Sequence, residues 1–406
     1  MTEISPTEAA DLPVLPNAIA AMAGPLAEWR HDLHRHPELG YEEHRTAAFV
    51  AERLRAFGCD RVETGIGRTG VVGVLHGQGG AGGPAIMIRA DMDALPIDEE
   101  TGAPYASTVP GKMHACGHDG HTTMLLGAAQ RLAETRGFRG TVYFCFQPSE
   151  EGGAGAKAMM DDGLFERFPV SRIFGAHNWP GLPVGRVVLK DGPVFAAADE
   201  FEITLAATGG HAAEPHRTRD PILAGAALVQ ALQSVVSRAV DPLHAAVVSV
   251  TQFHAGSTHN VIPGEARLVG TTRSLDDAAQ DVIVAEMARL TAEIAAAYGM
   301  DGAIRRGPKP YPVLVNDRAA TDFAEAAVAR VVGAERVTRG HPPTMCGEDF
   351  AYFAQQIPAC FLLLGNGPSA PLHTPGYDFD DRSLTLGTAL WAGLVEQALP
   401  LQPGGD

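Results

Sequence analysis

From Met113 to His121 the chain reads Met-His-Ala-Cys-Gly-His-Asp-Gly-His, which crowds the thiol of Cys116 among the imidazoles of His114, His118 and His121. Soft sulfur combined with imidazole nitrogen suits zinc, cobalt, nickel or iron. Cys116 and His118 stand two apart, a spacing that cannot share one helical face. Gly117 between them points instead to a loop in which both side chains turn toward one point. The same residues allow a plainer reading, a helix entry in which Asp119 caps a helix from Thr122 to Thr135 and the histidines sit in water.

Other metal-competent or proton-transferring residues follow short apolar runs. Thr141 to Gln147 leads into Pro148-Ser149-Glu150-Glu151-Gly152-Gly153. Adjacent carboxylates repel, and the pair is tolerable if one acid binds a cation while the other exchanges a proton. Arg172 to Ala176 delivers His177, and the loop Pro371-Leu372-His373-Thr374-Pro375-Gly376 delivers His373. Each of these histidines, taken singly, reads as a surface or loop residue. Ala85 to Ile88 runs on to Asp91-Met92-Asp93, two carboxylates that could orient metal ligands or serve as turn acids.

The elements that must position these groups alternate between strand and helix. Val71 to Leu75, Ala85 to Arg89, Thr141 to Phe146 and Ser171 to Phe174 are short apolar runs bounded by Gly, Pro or Asp, and helical periodicity lies between them. Ile19 to Phe57 reads as two helices interrupted near His36-Pro37-Glu38-Leu39-Gly40. Ala359 to Leu364 and Leu384 to Leu399 extend the same α/β pattern. From about Phe195 to Arg306 the order changes: strand Glu200 to Ala206, helix Pro221 to Arg238, strands Ala246 to Phe253 and Glu265 to Arg273, helix Asp277 to Tyr298, and a short strand Ala303 to Arg305. That β-α-β-β-α-β order is the split arrangement of a ferredoxin-like module. The chain is therefore divided into a catalytic domain in two parts, residues 1–194 and 307–406, with residues 195–306 inserted as a second domain.

At 406 residues, 45% hydrophobic and 19% charged, the chain has the composition of a globular protein of about two domains. A formal net charge of -17 would repel phosphate backbones, and no basic run offsets it, so nucleic acid is not an expected partner. No window approaches the roughly 20 continuous apolar residues of a membrane span. Met1 to Gly24 carries Glu3, Glu8 and Asp11 without Lys or Arg, which lacks the basic start of a secretory signal and leaves the cytoplasm as the expectation. Cys59, Cys116, Cys145, Cys346 and Cys360 are odd in number and scattered, so no disulfide framework is expected. Cys145 and Cys360 fall in apolar runs, and Cys116 alone asks for a chemical explanation.

In this order, from Trp29-Arg30-His31-Asp32-Leu33-His34-Arg35-His36-Pro37-Glu38-Leu39-Gly40 to Leu372-His373-Thr374-Pro375-Gly376-Tyr377, the segments cover nearly the whole chain. They resemble the family of dinuclear metalloamidases that contains aminoacylases, hippurate hydrolase and the plant auxin-conjugate amidohydrolases. Cys116-Gly117-His118-Asp119-Gly120-His121 and Pro148-Ser149-Glu150-Glu151-Gly152-Gly153-Ala154-Gly155-Ala156 carry the resemblance most specifically. It implies a zinc-exopeptidase-like α/β/α catalytic domain with an inserted ferredoxin-like α+β lid or dimerisation domain. It also implies two divalent ions, zinc, manganese, cobalt or nickel, held by Cys116, His118, Glu151, His177 and His373 with Cys116 bridging. Glu150 becomes the general acid/base. Elsewhere in that family a His-x-Asp motif supplies a ligand and its orienting acid. Here Asp91 stands at the first position, so His118 replaces the missing imidazole and Asp93 keeps the orienting role.

By the same resemblance His211, in Gly209-Gly210-His211, polarises the scissile carbonyl, often from a partner subunit, and Asn260 with Arg273 holds the substrate carboxylate. Residue type alone favours a turn residue for His211 and a surface ion pair for Arg273. His34, His36, His114, His121 and His216 are assigned structural roles, and Glu348 with Asp349 is explained by capping the helix that follows. The implied reaction is hydrolysis of an N-acyl amino acid to a carboxylic acid and an amino acid by a homodimer or higher homo-oligomer, with no nucleic acid or membrane partner. The rivals are a dipeptidase or another small-amide hydrolase on the same scaffold, and a non-enzymatic metal-dependent binding protein. Loss of Glu150 would favour the last of these, and Glu150 is present.

Overall fold

The structure, a computed structural model, describes residues 12–401, so most of the proline-bearing start lies outside the described residues. Its described residues form two compact units: 12–192, 315–342 and 352–401 belong to the first, and 193–314 with 343–351 to the second.

The first unit is organised by an eight-stranded sheet in the order Arg61–Ile66, Gly70–His76, Thr141–Gln147, Ala85–Asp91, Arg172–Trp179, Ala359–Gly365, Val187–Leu189, Val337–Arg339. Its central strands are continuous apolar runs buried along nearly their whole length, as strands covered on both faces must be. Ala85–Asp91 pairs in parallel with Thr141–Gln147, Asp91 opposite Gln147, and in parallel with Arg172–Trp179 on its other side. Three strands running the same way bring their carboxyl ends to one edge, where crevices form in open α/β sheets. The residues that follow them are Asp93, Glu150 and Glu151; His177 lies within the end of the third.

Helix His118–Thr135 lies under that edge and packs on Arg382–Ala398 and Ala23–Arg35 through Met124, Leu125 and Leu126. It begins at His118, four residues before the expected start, with Gly117 preceding it in the left-handed region at φ 87°. Asp119 does not cap it. Its carboxylate turns inward, 3.4 Å from Arg30 Nη1 and 2.8 Å from His34 Nδ1. Arg30, wholly buried, also bonds Asp381 and stacks over Tyr105.

Burial pushes His34 down, but Asp119, with Glu99 3.3 Å from Nε2, outweighs it and lifts the pKa from 6.5 to about 9, against the opposing charge of Arg30. His114 beside it is driven by burial to about 4 and stays neutral. A pKa raised on folding contributes stability in full below the unfolded value, and that stability is lost as pH rises through the folded value. Between about pH 6.5 and 9 the wild-type protein should lose on the order of 3 kcal/mol through this group. Urea midpoints of wild type and His34→Gln across that window test it, and parallel pH profiles would exclude His34 as the source.

The second unit is a four-stranded antiparallel sheet in the order Ala246–Ala255, Glu265–Ser274, Ala197–Ala206, Asp301–Arg306, with helices Pro221–Ser234 and Asp277–Ala297 supplied between strands. This is the β-α-β-β-α-β order expected from the sequence. Asp220 and Asp276 cap the two helices, accepting from Ile222 N and Leu223 N and from Ala279 N. Phe201, Ile203, Leu228, Leu232, Leu268 and Ile283 form its core. The apolar stretch Pro221–Ala239 is long enough by composition to cross a membrane. It spends Ala224, Leu228 and Leu232 on the core of its own unit.

Candidate metal centre

The turn after Thr141–Gln147 is the tightest piece of backbone near the site. Ser149 and Ala154 adopt positive φ, and a Cβ at Gly153 or Gly155 would collide with Ser149 or Pro148, so small residues there are required by space. The turn is held by Asp93. Its Oδ1 accepts from Glu150 N at 3.0 Å and its Oδ2 from Glu151 N at 2.9 Å, while its carbonyl accepts from His118 Nδ1 at 2.9 Å. One aspartate thus fixes both acids and the tautomer of a histidine, leaving His118 Nε2 buried and free of any hydrogen bond.

Around that nitrogen and the Cys116 sulfur the expected ligands converge. Cys116 Sγ lies 3.2 Å from His177 Nε2 and 3.3 Å from His373 Nε2, and His373 Nε2 lies 3.0 Å from Glu151 Oε1. His177 Nδ1 donates to Asn178 O at 2.7 Å, so its Nε2 carries the lone pair turned toward Cys116. Two donor sets emerge, each with its ligand atoms within 4.8 Å of one another: Cys116, His118 and His177, and Cys116, Glu151 and His373. They share the sulfur. Glu150 joins His118 and Glu151 in a further group of the same compactness.

The electrostatics fit a cation. Burial among Glu151, Glu150 and Asp91 pushes the Cys116 thiol well above its usual range, so a thiolate there needs a neighbouring positive charge. Burial depresses His118, yet Asp91 and Asp93 overcome this and lift it to about 10, the mark of a field that favours positive charge. Sulfur, imidazole and carboxylate converging on an unpartnered buried nitrogen match a borderline-soft divalent ion.

Asp91 and His121 are otherwise employed. Asp91 Oδ2 accepts from Arg89 at 2.6 Å and Oδ1 from His121 Nδ1 at 2.6 Å. The Asn178 backbone N–H donates to His121 Nε2 at 2.9 Å, so both ring nitrogens are committed. Asn178 and Tyr377, which the sequence reading passed over, are buried between the ligand-bearing segments. Their one sequence signal is position, directly after His177 and four residues after His373.

In the second unit, His211 is exposed in a short ladder pairing with Val261, and Ala212 N donates to Asn260 O. Its Nδ1 accepts from Ala213 N at 3.1 Å. Arg273 is half-buried and forms no ion pair with any carboxylate among the described residues, unlike the surface pair that residue type alone suggests. Its Nη1 bonds Thr271 Oγ1 and Thr272 O. Glu348 Oε1 accepts from Phe350 N at 2.9 Å, a local turn contact.

Comparison with known proteins agrees with this geometry. The model for "Peptidase family M20/M25/M40" matches residues 87–397. The chain is 40% identical over 377 residues to hippurate hydrolase of Campylobacter jejuni, covering 93% of this chain and 97% of that protein. It is 40% identical over 371 residues to N-acetylcysteine deacetylase of Bacillus subtilis, covering 91% and 96%. Among solved structures it resembles the YXEP protein of Bacillus subtilis, described as a dinuclear metal binding peptidase, with TM-score 0.80 and 36% identity over 94% of this chain and 99% of that one.

Proposed function

From the premise that the chain belongs to peptidase family M20/M25/M40, we propose that it hydrolyses the amide bond of N-acyl amino acids at a centre of two divalent ions sharing Cys116. The observation that carries this is the pair of donor sets meeting at one buried sulfur, with a second acid, Glu150, beside them. Ions bound there would lower the pKa of water toward neutrality and polarise a carbonyl. Glu150 takes the proton from the attacking water and returns it to the departing amine, which must leave neutral. Asp93 holds Glu150 and Glu151 by their backbone N–H groups, so the acid that moves protons and the acid that binds metal cannot drift apart. By the family resemblance His211, from this or a partner subunit, would offer Nε2 to the developing oxyanion, and Asn260 with Arg273 would receive the carboxylate of the leaving amino acid. The unpaired guanidinium of Arg273 supports this clamp. A homodimer is part of the proposal, supported by Ile222 and Leu223 exposed on helix Pro221–Ser234.

The deciding experiment uses the purified full chain. Chelation should abolish hydrolysis of hippurate or N-acetyl amino acids, and readdition of zinc, manganese, cobalt or nickel should restore it with about two equivalents bound. The same sample should sediment as a dimer. Activity that survives complete metal removal overturns the metal mechanism. Preference for free dipeptides over every N-acyl amino acid would favour the dipeptidase alternative, and a monomer would remove the dimer from the proposal.

A further inference from the structure

Asn178 is saturated with hydrogen bonds that lead to three ligand-bearing segments. Its carbonyl accepts from His177 Nδ1 at 2.7 Å, its Nδ2 donates to the carbonyl of Cys116 at 2.6 Å, and its Oδ1 accepts from the Tyr377 hydroxyl at 2.6 Å. Its backbone N–H meets His121 Nε2, whose Nδ1–H is held by Asp91. Tyr377 closes the loop that bears His373, and His373 N donates back to Ala115 O at 2.9 Å. Both side chains are fully buried. Gly117 lies against the pair so closely that a Cβ would strike the Asn178 amide and the Tyr377 hydroxyl.

We propose that Asn178 and Tyr377 are positioning residues that tie the Cys116 loop, the His177 strand end and the His373 loop into one preset ligand frame, so that the pair sets metal affinity without touching metal or substrate. The inference rests on the metal centre proposed above. Three segments distant in sequence must arrive at one sulfur with the correct nitrogen forward. His177 is held in its Nδ1–H tautomer by the Asn178 carbonyl, and Cys116 is held at its own carbonyl by the Asn178 amide. His373 is tethered through Tyr377, whose hydroxyl has its partner in Asn178 Oδ1. Partners of this outer kind typically change metal affinity by about 10–100-fold. Because the tyrosine hydroxyl acts through the asparagine, the two effects must not add.

The test is zinc affinity of the full chain, measured by competition with a chromophoric chelator, alongside the thermal midpoint of the chelated protein. Tyr377→Phe should weaken zinc binding by about tenfold. In an Asn178→Ala background the same change should weaken it no further. Wild-type zinc affinity in Tyr377→Phe overturns the proposal, whether or not the midpoint of the chelated protein falls, because a merely structural role moves only the midpoint. Fully additive losses in the double variant overturn it too. If Asn178→Ala fails to fold, Tyr377→Phe alone decides. Wild-type protein that binds none of zinc, manganese, cobalt or nickel overturns the metal centre and this inference together, whereas wild-type binding with unaffected variants overturns the inference alone.

Discussion

Glu150→Gln should retain the wild-type metal content and lose about 10²–10⁴-fold in kcat, the range that a positioned general acid or base contributes. The substitution preserves volume, and the backbone bond from residue 150 to Asp93 Oδ1 at 3.0 Å is untouched, so the turn that presents Glu151 should keep its shape. What disappears is the capacity to accept a proton from water and to protonate the leaving amine. The residue is only 6% exposed, so bulk water cannot readily substitute for it. Metal analysis and steady-state kinetics on one preparation separate the possibilities. Turnover within twofold of wild type would remove Glu150 from proton transfer. Loss of a metal equivalent would instead make it a ligand, an arrangement that its closeness to His118 and Glu151 permits geometrically.

The second large effect is expected at Cys116. Its sulfur belongs to both donor sets, so Cys116→Ala should weaken both ions at once, by more than the roughly 10–100-fold typical of an outer partner, and hydrolysis should fall with occupancy. Removing His373 or His118 alone should strike one set harder than the other. The side chain of Cys116 is small and buried, so its loss leaves a minor void, and unfolding of the chelated protein should change little. Retention of two equivalents at wild-type affinity in Cys116→Ala would exclude the shared sulfur.

Much of this arrangement could be read from the chain. Apolar runs such as Ala85 to Arg89 and Thr141 to Phe146 announced strands that the structure extends to Asp91 and Gln147, and the acids and histidine near their ends pointed to the edge where the site forms. The order of elements in the second unit was legible because each strand and helix is long enough to show its period. Val187–Leu189 and Val337–Arg339 are three residues each, too short for any period, and they went unseen. Helix His118–Thr135 was started late because His, Asp and Gly in its first turn resemble a loop, whereas its burial is decided by neighbours distant in sequence. The burial of Arg30 is likewise not legible locally, because its partners Asp119 and Asp381 lie 89 and 351 positions away. Asn178 is ordinary at a strand end, and its meaning comes from Tyr377, 199 positions on.

The discontinuity of the first unit has a temporal side. Strand Arg172–Trp179, which carries His177, pairs with Ala359–Gly365, and His373 arrives later still. On a ribosome, where domains generally fold as they emerge, the contiguous elements between Ala197 and Arg306 are complete before Ala359–Gly365, an inner strand of the first unit's sheet, has been synthesised. During that interval Cys116, His118, Glu151 and His177 exist without their last companion. On the proposed ligand set, the nascent chain would therefore carry an unfinished chelate until its carboxyl-terminal quarter emerges.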